Sequence, residues 1–181
     1  MIQIAIDGPS GAGKSTVAKA VARELGIIYV DTGALYRTIG YFVRSRNVDP
    51  KDPVGVAALL PEISVDLKYE NGRQIVCLNG EDLGDRIRTP EMSMYASAVS
   101  AIPAVRTFLL ETQRKIAREN SVIMDGRDIG TVVLPDAEIK NAQVMYLGKE
   151  EWEDIPFQTV DGKLVFQLPN GYSACLLKLS K

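Results

Sequence analysis

GPSGAGKS, from Gly8 to Ser15, is the stretch whose reading decides the fold. It fits the pattern G-x-x-x-x-G-K-S/T, a glycine-rich turn between a strand and a helix that wraps the phosphates of a nucleoside triphosphate. Both flanks suit it. Upstream, Ile2, Ile4 and Ile6 make a short apolar strand ending at Asp7; downstream, Val17, Ala18, Val21, Ala22 and Leu25 recur at helical spacing until Gly26 stops the helix. A tight turn without any ligand is the plain alternative, and the flanking context outweighs it. Phosphate must lie against bare main chain, so Gly8, Gly11 and Gly13 permit backbone angles and close approaches that a side chain would block. With Pro9, Ser10, Ala12 and Thr16 they compose the expected ATP-binding turn. Lys14 adds a positive charge. Ser15 offers a hydroxyl where a phosphate-bound Mg2+ needs an oxygen ligand, and the first N–H groups of the helix aim at the same anion.

The 181 residues are 46% apolar, enough for a real core, and the length suits one compact domain with an insertion or a small appendage. A net charge of −2 advertises neither a nucleic-acid groove nor an affinity for anionic membranes. With the first strand at Ile2 and no apolar run of membrane-spanning length, a cytoplasmic protein is expected. Cys77 and Cys175 lie far apart in sequence, which favours two reduced thiols over a disulfide or a zinc site. There is no histidine at all. Imidazole triads and histidine metal ligands are thereby excluded, and the chemistry must be of a kind that needs no strong general base.

Along the chain a second run, Ile27 to Val30, ends in Asp31-Thr32-Gly33 and passes into a helical stripe of Leu35, Ile39 and Phe42. A short helix is predicted from Val54 to Leu60, stopping before Pro61. The period then changes: Ile63, Val65 and Leu67 alternate with polar residues, Asn71-Gly72 marks a hairpin, and the return strand Ile75 to Leu78 meets a second turn at Asn79-Gly80. Helices resume after Pro90 and Pro103, the latter with Val105, Phe108, Leu109, Thr112 and Ile116 on one side. Val122 to Asp125 is a short buried strand. These units predict a parallel sheet with covering helices, its ligands beyond the strand ends where Asp7, Asp31 and Asp125 fall. For Asp7 a helix-capping role and a functional one stand equal. Asp125 is the candidate carboxylate for the metal's water shell, with a structural role as the alternative.

Three further stretches, DTGALYR (31–37), RIRTPE (86–91) and DGRDIGTVVLPDAEIK (125–140), together with GPSGAGKST, closely resemble bacterial cytidylate kinase, a family of P-loop nucleoside monophosphate kinases. The resemblance covers about residues 1–140. It implies a three-layer αβα fold with a parallel sheet, an inserted CMP-binding lobe at about 62–100, and transfer of a phosphoryl group from ATP to CMP or dCMP with Mg2+. It further implies that Thr32, Tyr36, Arg37, Arg88, Ser97, Arg106, Arg127 and Asp128 line the CMP site, that Lys14, Arg37, Arg127 and Asp128 are catalytic, and that Ser15 and Asp125 serve the metal. Planar guanidinium groups suit the task, because two mutually repelling phosphates must be held in fixed directions. The implied partners are small nucleotides, with no nucleic acid and no membrane, and the implied state is a monomer.

Beyond Lys140 the resemblance ends where the family would enter an arginine-rich lid. All eleven arginines occur by Arg127. Loss of lid cations is expected to impair the rate more than ATP binding. Residues 157–179 read as a three-stranded antiparallel meander, and LGKEEW, DGKLVFQLP and ACLLKL resemble the closing strands of the C-terminal β-sandwich of α-L-fucosidase-type glycosidases. Residues 141–181 are therefore expected to be an unrelated β-rich tail joined to a truncated kinase core. A noncatalytic nucleotide-binding protein, or a truncated or chimeric one, is the alternative.

Overall fold

The computed structural model describes residues 1–7, 13–70 and 73–137, together with the backbone of strands at 141–146, 153–154, 157–160, 163–166 and 175–180. In chain order the elements are β1 (Gln3–Asp7), α1 (Lys14–Leu25), β2 (Ile28–Asp31), α2 (Thr32–Ser45), α3 (Pro53–Leu59), β3 (Val65–Glu70), β4 (Arg73–Leu78), β5 (Glu81–Asp82), α4 (Pro90–Ser100), α5 (Pro103–Glu119), β6 (Val122–Gly126), β7 (Asn141–Tyr146), β8 (Glu153–Asp154), β9 (Phe157–Val160), β10 (Lys163–Phe166) and β11 (Cys175–Ser180). They divide into two compact units, one made of residues 1–31 and 116–181, the other of 32–115.

The first unit is built on a parallel sheet in the order β1-β6-β2. Its central strand, Val122-Ile123-Met124-Asp125, is buried throughout, which is why it reads as a continuous apolar run rather than an alternation. Register pairs Asp7 with Gly126 and Asp31 with Asp125, so all three aspartates stand at one carboxyl edge, as the sequence predicts. Helix α1 buries Val17, Ala18, Val21 and Ala22 and ends at Gly26, whose φ of 64° is the left-handed geometry that a helix-terminating glycine adopts without steric cost.

Beyond residue 140 the predicted meander is corrected. Strands β9 and β10 do form an antiparallel hairpin, but β11 pairs with β7 in a separate sheet of order β11-β7-β8. That register sets Leu177 opposite Val144, Leu179 opposite Ala142 and Lys178 opposite Gln143. Sequence neighbours usually pair, and here β11 instead takes β7 as its antiparallel partner.

In the second unit α2, α4 and α5 surround a core containing Leu35, Ile39, Val43, Val99, Val105 and Leu109, to which the β3-β4-β5 sheet contributes Val65, Val76 and Leu78. β3 and β4 pair in antiparallel register, while the predicted turn at Asn71-Gly72 lies outside the described residues. The second turn carries positive φ at both Asn79 and Gly80, which suits a tight hairpin. Helix α3 stops at Leu59, ahead of Pro61 as predicted. Pro61 lies within a short 3-10 turn, Leu60–Glu62, where the missing proline N–H is tolerated. A Cβ on Gly40 would lie 2.8 Å from the Tyr95 Cβ, so glycine there lets α2 and α4 pack closely.

Candidate functional site

Gly13, at φ 79°, opens α1, and its carbonyl accepts the N–H groups of Thr16 and Val17 at 3.0 and 3.2 Å. Gly13, the N-cap, has no side chain with which to cap the helix, and no acidic residue occupies the first turn. The positive end of the helix dipole therefore meets no carboxylate from within that turn. Lys14 is half-buried in the same turn. Its ammonium is held below the usual lysine range, chiefly by burial; Asp125 and Asp7 oppose that shift and Arg127 adds to it. Lys14 and Arg127 thus reinforce one another's positive field, while Ser15 and Thr16 remain exposed. Gly8, Pro9, Ser10, Gly11 and Ala12 lie outside the described residues.

Ser15 and Asp125, one from the helix and the other from the central strand, are brought together. The Ser15 hydroxyl donates to Asp125 Oδ2 at 2.6 Å, and Tyr29 donates its phenol to Oδ1 at 3.1 Å. Asp125 is only 4% exposed. Burial raises its pKa above the ordinary carboxylate value, and neighbouring Asp31 adds to the rise; the two hydroxyls and Lys14 counter it. The buried anionic end of this group is a place where a cation would relieve an electrostatic cost. Tyr29 is the site residue that sequence reasoning missed. Its position two residues before Asp31 on a strand puts both on one sheet face, but nothing in the string says that the phenol reaches Asp125.

At the end of β1, Asp7 accepts the N–H groups of Ile129 and Gly130 at 2.7 and 2.8 Å. Its pKa is raised, first by burial, with these two amides pulling it back. The sequence left capping and functional roles open for Asp7; the geometry is that of a cap on a π-helical turn, Ile129–Val133. Asp128 precedes that turn with φ 56°, an uncommon backbone for a residue with a side chain, and Arg127 and Asp128 are both exposed.

The second unit holds the other residues assigned to the acceptor. Thr32 begins α2 and is 3% exposed, and Tyr36 and Arg37 follow on the next turn, both half-buried. Arg44 pairs with Glu91 at 2.7 Å, while Gly40 faces Tyr95, so α2 and α4 run antiparallel. The start of α2 therefore lies level with the end of α4, where Ser97 is exposed, and α5 begins three residues after α4 with exposed Arg106 in its first turn. These five residues share one end of the helical layer. Arg88 does not: it precedes α4, roughly 12 Å from Ser97 along the helix axis, with an exposed 3.5 Å pairing to Asp85. Thr89, its neighbour in the RIRTPE stretch, caps α4 by accepting the Met92 N–H at 3.2 Å.

No group of three or more His, Cys, Asp or Glu side chains able to hold a metal ion occurs among the described residues. Cys77 is buried and free. Among the described residues no single helix is long and apolar enough to cross a membrane.

The family pattern described as cytidylate kinase matches residues 4–147, extending through β7. The chain is 52% identical over 139 residues to a cytidylate kinase of Caldicellulosiruptor bescii, covering 77% of this chain and 62% of that protein. It is 50% identical over 140 residues to a cytidylate kinase of Lactobacillus johnsonii, with 77% and 61% covered. Against a bifunctional pantoate ligase/cytidylate kinase of Synechococcus elongatus it is 45% identical over 142 residues, with 76% and 27% covered. The chain thus spans about three fifths of the length of the single-function relatives it matches.

Proposed function

The chain belongs to the cytidylate kinase family, and on that premise we propose that it transfers the γ-phosphoryl group of ATP to CMP or dCMP, giving CDP or dCDP. The observation that carries this reading is the Ser15–Asp125 hydrogen bond beside Lys14, at the sheet edge where an ATP polyphosphate would lie. A phosphate monoester has a second pKa near ~6, so at neutral pH the acceptor is mostly a dianion and already nucleophilic. Alignment and charge neutralisation then remain as the protein's task.

In this assignment Lys14 and the amides at the start of α1, with the turn at 8–12, hold the triphosphate. For the acceptor nucleotide the proposed residues are Thr32, Tyr36, Arg37, Arg88, Ser97 and Arg106 of the second unit, and Arg127 and Asp128 of the first. The Ser15 hydroxyl and the Asp125 carboxylate form a hard oxygen donor pair on a buried anion, which fits Mg2+, an ion that takes one or two protein oxygens and keeps its waters. Mg2+ would supply neutralisation of charge on the β and γ phosphates. Asp125 would orient the ion through that water shell, and Tyr29 would hold the carboxylate's second oxygen. A monomer working in the cytoplasm is the accompanying expectation. Within residues 1–181 the cations proposed to act on the transferred group are Lys14 and the arginines up to Arg127.

The test is ADP release from ATP upon addition of CMP or dCMP with Mg2+, set against UMP and against Lys14→Met. CMP-dependent ADP that collapses in the variant is expected. ATP binding without turnover would leave the noncatalytic reading standing, and failure to bind ATP would remove both.

A further inference from the structure

We infer that Asp7 is a positioning residue for the acceptor side of the reaction: its two carboxylate oxygens clamp the loop that presents Arg127 and Asp128. This rests on the kinase reading above. The last residue of β6 in the sheet ladder is Gly126, which is also the residue opposite Asp7. Three residues on, the N–H of Ile129 is held by one Asp7 oxygen at 2.7 Å, and the N–H of Gly130 by the other at 2.8 Å. Only Arg127 and Asp128 lie between these two fixed points.

Four features argue that the clamp sets conformation and does more than tidy a helix end. The amides it binds open the π-helical turn Ile129–Val133, and the first donors of a helical turn have no partner within it. Ile129 is 1% exposed, so water is poorly placed to replace the carboxylate. Asp128 holds φ 56°, a strained region for a side-chain-bearing residue, and its carbonyl accepts the Val132 N–H at 2.9 Å and the Val133 N–H at 3.3 Å. Such strain persists only where the surroundings over-determine it, and the clamp is the determinant on its C-terminal side. Finally, Arg127 lies near enough to Lys14 to lower that ammonium's pKa, so slack in the clamped loop would displace one of two cations that must act together.

The test compares the full-length protein with Asp7→Asn, in which one oxygen becomes an N–H2 group facing a backbone donor. Initial rates would be measured with CMP varied at saturating ATP and then with ATP varied at saturating CMP. A KM for CMP raised at least ~10-fold, with the KM for ATP within ~2-fold and an unchanged cooperative melt, is the expected result. Equal rises in both constants, or none, would overturn the inference. Wild-type protein that makes no CMP-dependent ADP would instead defeat the kinase reading, which keeps the two failures apart. Should the variant not fold, through-hydrogen-bond NMR couplings in the wild type decide: couplings from the Ile129 and Gly130 amide nitrogens to the Asp7 carboxyl carbon are expected, and their absence refutes the clamp.

Discussion

Cutting the Ser15–Asp125 hydrogen bond from its two ends should move stability in opposite directions. Ser15→Ala removes a 2.6 Å donor to a carboxylate that is 4% exposed. Hydrogen bonds to charged groups contribute about 1.5–3 kcal/mol, and because Ser15 itself is exposed, water can enter and recover part, leaving a loss of about 1–2 kcal/mol. For a chain of this length each kcal/mol moves the melting midpoint by ~2–4 °C, so a fall of ~2–8 °C is expected. Asp125→Asn removes the buried charge itself. Because burial raises the Asp125 pKa, its ionised form is the costly one, and the neutral amide should leave the ligand-free protein as stable or gain on the order of 1 kcal/mol at pH 7. The sign follows from linkage. A carboxyl whose folded pKa is raised has its full favourable contribution below the unfolded value of 3.8 and loses it as pH rises through the folded value. The advantage of Asp125→Asn should therefore be absent at pH 3.8 and below and reach a plateau above the folded pKa. Calorimetry in EDTA from pH 3.5 to 8 checks this. An Asn variant destabilised as much as Ser15→Ala at pH 7, or a difference that ignores pH, would refute the reasoning.

Two other outcomes test separate elements. Lys14, its pKa lowered from 10.5 by burial, should reach half-maximal acylation at a pH below that value, and ATP should protect it; peptide mapping after reagent pulses across pH 7–11 reads both effects. Thr89→Ala deletes the cap on α4, with its 3.2 Å bond to the Met92 N–H, and should lower stability by about 1 kcal/mol in chemical denaturation with no change in ATP affinity.

What the string of residues determined by itself was local. Apolar period, glycine and proline punctuation and the GPSGAGKS stretch located β1, α1, β2, the hairpin strands, the helices that start at Pro90 and Pro103, and β6, because each rests on interactions within a few residues. The strand endings put Asp7, Asp31 and Asp125 at one edge for the same reason: every parallel strand in such a sheet presents its carboxyl end on the same side. Tertiary structure decided the partners. Strand β11 paired not with the hairpin that precedes it but with β7, Cys175 against Tyr146 through Ser180 against Asn141. Tyr29 reached Asp125 across ninety-six residues, and Asp7 reached the Ile129 amide across one hundred and twenty-two. Such contacts depend on which strands become neighbours in the sheet, a choice made by burying β6 at its centre, so the sequence could name the carboxylates but only the fold could say which donors they accept.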